Sequence, residues 1–111
     1  MTMMLSSPFK KILWVDDVRP CPNDNDYTRA WSVDGAKMLI MSAEIENNPF
    51  DLLDLDSDAS IFAEYGGDYW KLLDWLEATG RNYPIRIHSM NVVARERMRL
   101  IIEHNHWREV R

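Results

Sequence analysis

Four aspartates stand at or next to the ends of two apolar runs: Asp16 and Asp17 close Lys11-Ile-Leu-Trp-Val15, and Asp54 and Asp56 close the run that begins Phe50-Asp-Leu-Leu. A third run, Pro84-Ile-Arg-Ile87, stops at His88-Ser-Met-Asn91. If the three runs are parallel strands, their carboxyl ends share one edge of a sheet, and ligands bind in the crevice at that edge where the strand order reverses. Carboxylates crowded there raise one another's pKa unless a cation relieves the repulsion, and hard oxygen ligands suit Mg²⁺ or Mn²⁺. Asp16, Asp17 and Asp56 are therefore candidate metal ligands; the competing reading is solvated acids that cap turns. His88, beside a hydroxyl and an amide, can act as acid or base near neutral pH, or can be a buried histidine hydrogen-bonded for structure alone. Ser89 and Asn91 precede a predicted helix whose free N–H groups attract an anion, and Asn91 can cap that helix at the same time. Arg19 can fork onto a phosphate or pair with Asp16 or Asp17.

An alternation of strands and helices must position these groups. After the first run, Asp16 to Asp26 carries Pro20, Pro22, Asn23 and Asn25 and reads as a loop, in the place where a crossover helix would otherwise stand. Tyr27 to Trp31 reads as an edge strand. Ser32 can cap a helix with Ala36, Leu39, Ile40 and Ala43 on one face, ended by Asn47-Asn48-Pro49, and Phe50 to Leu55 follows as a central strand. A polar stretch from Asp56 to Gly67 leads to a second helix with Tyr69, Leu72, Leu73 and Leu76 on its apolar face and Gly80 at its end. Ile85 to Ile87 is the next strand. A third helix, Val92 to Glu103, presents Ala94, Met98, Ile101 and Ile102, and Trp107 to Val110 reads as a last strand. The pattern predicts an α/β three-layer sandwich with right-handed crossovers and five parallel strands in the order 2-1-3-4-5, the first crossover helix missing or reduced. Residues 1–10 are expected to form a loose tail and 11–111 a single domain.

The 111-residue chain suffices for one core. Its formal net charge of −5 disfavours duplex DNA as a partner. Cys21 is the single cysteine, so no internal disulfide forms and a reducing cytoplasm is expected. Lys10 and Lys11 follow the mildly apolar start instead of preceding it, unlike a secretory signal. No apolar stretch exceeds Met38–Met41, far below the ~20 residues that cross a bilayer. Trp14, Trp70 and Trp75 read as core or interface packing. His104 and His106, near a helix end, complement its dipole. Of Arg95, Arg97 and Arg99, only Arg95 lies near the helix start.

Lys11-Ile-Leu-Trp-Val-Asp-Asp17, Asp51-Leu-Leu-Asp-Leu-Asp56 and Pro84-Ile-Arg-Ile-His-Ser89 resemble the three signature segments of response-regulator receiver domains, with Asp56 at the phosphoacceptor position. A narrower resemblance is to the cyclic-phosphate processing receiver family, carried by Asp16-Asp-Val-Arg-Pro20, Leu53-Asp-Leu-Asp56 and His88-Ser-Met-Asn91 followed by Met98. The chain departs from it at Leu55, where that family usually has histidine, and at Val92, where it usually has proline. From ordinary receivers it departs in having no Lys-Pro after the last predicted strand. The narrower resemblance implies metal-assisted hydrolysis or binding of a cyclic phosphate on a nucleotide-type ligand. Asp16, Asp17 and Asp56 would hold Mg²⁺, His88 would assist proton transfer, and Asp54 would orient it or serve as an alternative base. Arg19, Ser89 and Asn91 would bind the phosphate. The alternatives are a phosphoacceptor or pseudo-receiver switch acting through a protein partner or homodimer, and a ligand-binding module without turnover.

Overall fold

Ile12–Val15 form the first strand, β1, which is paired on both sides and apolar throughout, as an interior strand of a parallel sheet requires. The computed structural model describes residues 9–22 and 25–111. Within them the order is β1, β2 (Tyr27–Ala30), α1 (Val33–Ile45), β3 (Leu52–Leu55), a 3₁₀ turn (Ser60–Glu64), α2 (Trp70–Ala78), β4 (Ile85–Ile87) and α3 (Val92–His104). The four strands are parallel in the order β2-β1-β3-β4. The direction of travel reverses at β1, so the carboxyl ends of β1 and β3 flank the switch point.

Helix starts follow local chemistry. Ser32 Oγ accepts from Gly35 N at 3.0 Å and Asn91 Oδ1 accepts from Ala94 N at 3.1 Å, each satisfying a donor that α1 and α3 would leave free. The predicted apolar faces are those that bury: Ala36, Ile40 and Ala43 on α1, Leu72, Leu73 and Leu76 on α2 with Tyr69 just before it, Met98 and Ile102 on α3. Leu39, Ala94 and Ile101 are half-buried. Gly80, at φ 68°, supplies the left-handed residue after α2. Gly66, at φ 108°, lies so close to α1 that a Cβ there would stand 2.6 Å from Asp34 Oδ1. That approach lets Asp34 N donate to Tyr65 O at 2.9 Å, seating the start of α1 on the loop.

Two expectations are corrected. Among the described residues the fold has two layers and not three. Buried residues of all three helices join Leu13, Val15, Leu53, Leu55 and Ile85 in one cluster, on one face of the sheet. The other face holds a small cluster of Phe9, Ile12 and Leu52, edged by Tyr27 and Val110, with no helix in it. Where the first crossover helix was expected to be missing or reduced, the described residues of Asp16 to Asp26 form only loop, and Asn23 and Asp24 lie outside the described residues. The fifth strand is likewise reduced to one parallel bridge, Ile85 to Glu109, held by Ile85 N to Arg108 O and Val110 N to Ile85 O. β4 is three residues long, which leaves a partner strand little length to pair with. Most of the expected tail, residues 1–8, lies outside the described residues. Phe9 is buried, and Lys10 N donates to Asp51 Oδ2 at 2.9 Å, so ordered contacts begin before residue 11.

Candidate metal and phosphate site

The carboxyl ends of β1 and β3 bring three acids together. One oxygen each from Asp16, Asp17 and Asp56 lies within 4.8 Å of the others, a spacing that fits one hard cation shared by carboxylates. Their surroundings differ. Asp16 is fully buried, and its Oδ1 accepts from Val18 N at 2.8 Å and Arg19 N at 2.9 Å, the backbone of the loop turning around it. Burial alone would raise its pKa, but those N–H groups and His88 outweigh it and hold the carboxyl below its ordinary range. Asp17 shifts the other way: burial, and then the charges of Asp16 and Asp56, raise its pKa. Asp17 is thus the acid with most to gain from a cation. Asp56 Oδ1 is occupied by Ser57 N at 2.7 Å.

His88 follows β4 and is clamped at both ring nitrogens. Nδ1 meets Asp54 Oδ1 at 2.6 Å and Nε2 meets Asp16 Oδ2 at 2.8 Å. Burial would lower its pKa, yet the two carboxylates outweigh that and raise it, so the imidazolium with a proton on each nitrogen is favoured. The ring lies flat on Trp14, centroids 3.9 Å apart and planes 5° apart. Sheet register explains the arrangement. Arg29, Trp14, Asp54 and Arg86 are cross-strand partners in one row on the face without helices, and Arg86 Nη1 reaches Asp54 Oδ2 at 3.3 Å. The loop that replaces the first crossover helix folds back over this row, with Trp14 Nε1 donating to Arg19 O at 3.3 Å. Arg19 Nη1 in turn donates to the His88 carbonyl at 2.8 Å, so its guanidinium ties the loop to the end of β4 and pairs with neither Asp16 nor Asp17.

Ser89 and Asn91 sit as expected at the start of α3. Ser89 is buried, its Oγ 2.7 Å from Ser57 Oγ and accepting from Asn91 N at 3.0 Å. Through Ser57, which directly follows Asp56, the mouth of α3 is fastened to the acid cluster. The structure therefore gathers Asp16, Asp17, Asp56, His88, Asp54, Arg19, Ser89 and Asn91 around the ends of β1, β3 and β4. Leu55, at the position where histidine was expected from the resemblance, is fully buried in the main core. His104 and His106 lie at the far end of α3.

Three participants escaped the sequence reading. Arg29 Nη2 donates to the Asp16 carbonyl at 3.0 Å. A charged residue inside an otherwise β-favouring segment was the available signal. Trp14 read as core because it stands in an apolar run. Ser57 carried no signal at all, since its role depends on the hydroxyl of Ser89, far along the chain.

Residues 11–104 match the model of a family described as the cyclic-phosphate processing receiver domain. No curated protein and no solved structure matches the chain. Among the described residues no helix is long and apolar enough to cross a membrane.

Proposed function

We propose a function on the premise that the chain belongs to the cyclic-phosphate processing receiver domain family, as the match over residues 11–104 establishes: the site binds and opens a cyclic phosphate on a nucleotide-type ligand. The observation that carries this reading is the close approach of Asp16, Asp17 and Asp56, fastened through Ser57 and Ser89 to the α3 amino terminus. A phosphate needs positive charge and N–H donors, and three acids alone would repel it. With Mg²⁺ or Mn²⁺ on the acids the same edge becomes attractive, and the donor set, all carboxylate oxygen, suits these ions. The cation would supply Lewis acidity toward the phosphoryl oxygens.

The chain's own groups have distinct tasks in this reading. The α3 amino terminus, with Ser89 and Asn91 at its mouth, takes the non-bridging oxygens. Arg19 keeps the loop and β4 in register and adds positive charge. Water attacks phosphorus, one ring P–O bond breaks, the departing oxygen takes a proton from His88 Nε2, and the proton released by the attacking water as the new P–O bond forms restores the imidazolium. Asp54 holds Nδ1 and so fixes the ring for that transfer. His88 has to leave its partner Asp16 Oδ2 to deliver the proton, a contact that also orients Asp16 at rest.

The test is incubation with 2′,3′-cyclic nucleotides and Mg²⁺, followed by detection of the phosphomonoester. Release is expected, with His88→Ala lowering the rate by ~10²–10⁴. Absence of release across nucleotide and sugar cyclic phosphates, together with ready labelling of Asp56 by acetyl phosphate, would transfer the site to a phosphoacceptor role.

A further inference from the structure

A groove of about 510 Å³ opens between the start of α2 and the outer face of α3, bounded by Trp70, Asp58, Asp68, Asn91, Val93 and Arg97. Its size falls within the ~300–1,000 Å³ of ordinary small-molecule sites. Two of its residues adjoin the acid cluster. Asn91 caps α3 beside Ser89, and Asp58 lies two residues from Asp56, at most about 7 Å of backbone away. The groove thus begins at Asp58, two residues from Asp56, and at Asn91, the cap of α3. Trp70 opens α2 with 40% of its surface exposed, whereas Leu72, Leu73 and Leu76 of the same helix are buried. The groove walls combine that indole, the apolar Val93 and Ala94, and the acceptors of Asp58 and Asp68. A flat aromatic ring with N–H donors on its edge matches all three.

We propose that this groove takes the aromatic base of the ligand whose phosphate lies at the acid cluster, which makes the ligand a nucleoside phosphate and not a sugar phosphate alone. The proposal rests on the reading of the acid cluster as a phosphate site. Stacking on Trp70 gives the base-bearing ligand its advantage, and base-on-aromatic stacking corresponds to roughly 5- to 150-fold in affinity. Arg97, at the outer wall, adds positive charge near the sugar.

Calorimetric titration of the full chain in Mg²⁺ tests it with three probes: adenosine 2′,3′-cyclic phosphate, 1-O-methylribose 2,3-cyclic phosphate and inorganic phosphate. The adenosine compound should bind at least about 5-fold more tightly than the base-free one. Trp70→Ala and Trp70→Leu should bring that ratio to near one, and Trp70→Phe should restore most of it, with inorganic phosphate bound equally by all four proteins. Since Trp70 is partly exposed, melting curves without ligand identify any variant that fails to fold, and the Leu and Phe pair then carries the comparison. Equal affinity for the two cyclic phosphates in the wild type overturns the groove proposal and leaves the acid cluster reading intact. A ratio that survives in folded Trp70→Leu also overturns it, by placing the base elsewhere. Failure of all three probes to bind in Mg²⁺ overturns both.

Discussion

Replacing Asp17 with asparagine should stabilise the protein without metal and abolish its stabilisation by metal, two effects of opposite sign from one atom exchange. Asp17 has an oxygen within 4.8 Å of oxygens on both Asp16 and Asp56. Coulomb's law puts each like-charge pair at about 0.9 kcal/mol with the dielectric of water and about 3.5 kcal/mol at an effective value of 20. Asp17 is partly exposed, so screening sets the useful figure near the lower bound, about 1 kcal/mol per pair. The amide keeps the volume of the carboxylate and loses its charge, so with two such pairs relieved, in EDTA the variant should melt about 8 °C above the wild type, given about 4 °C per kcal/mol near this size. Mg²⁺ at ten times its dissociation constant should then stabilise the wild type by about 1.4 kcal/mol and leave Asp17→Asn almost unmoved. Raising salt to 1 M should shrink the difference seen in EDTA. Thermal melts followed by circular dichroism, with EDTA and with Mg²⁺, read both effects. A variant that melts lower than wild type in EDTA and still gains the full Mg²⁺ shift would refute the reasoning, because the three acids would then neither repel one another nor share an ion.

Other outcomes follow from the clamp on His88. His88→Ala leaves Asp16 and Asp54 buried without their shared partner, and urea unfolding should register a loss of about 3–5 kcal/mol. The raised pKa of His88 means that its contribution to stability is complete below the ordinary 6.5 and is lost as pH rises through the folded value. Melting temperature should therefore decline on the alkaline side of pH 6.5, and His88→Gln should flatten that limb. The lowered pKa of Asp16 acts in the acid limb, where stability present above the ordinary 3.8 should be lost as pH falls below it. Leu55→His, the change toward the histidine that the resemblance leads one to expect, places a polar ring at a fully buried core position, and denaturant titration should show a cost of about 2–4 kcal/mol.

The helices were readable because each has one apolar face and a local stop or start. The burial of Ala36, Ile40 and Ala43, of Leu72, Leu73 and Leu76, and the cap at Asn91 are all local consequences of spacing and side-chain type. The acid cluster was readable for a related reason, since a strand that ends in aspartate at a parallel edge must deliver it to that edge. The number of layers was not. Helix periodicity tells which side of a helix is apolar and says nothing of which side of the sheet it covers, and the alternation of strands and helices led to the expectation of helices on both faces. The role of Trp14 needed the register that sets it opposite Asp54 and beneath His88. The last strand failed because Trp107 to Val110 has strand-forming residues but only a three-residue neighbour to pair with.

The helix-free face of the sheet also governs how the molecule behaves toward copies of itself. Sheets stack about 10 Å apart when their faces are apolar, and a face without helices is the natural place for such stacking to begin. Here the row across that face reads Arg29, Trp14, Asp54, Arg86, and pressing it against a second sheet would strip the remaining water from the two half-buried arginines. Arg86, paired with Asp54, and Arg29, which donates to the Asp16 carbonyl, would thus oppose face-to-face stacking, and neutral replacements at either position should lower colloidal stability, read by light scattering.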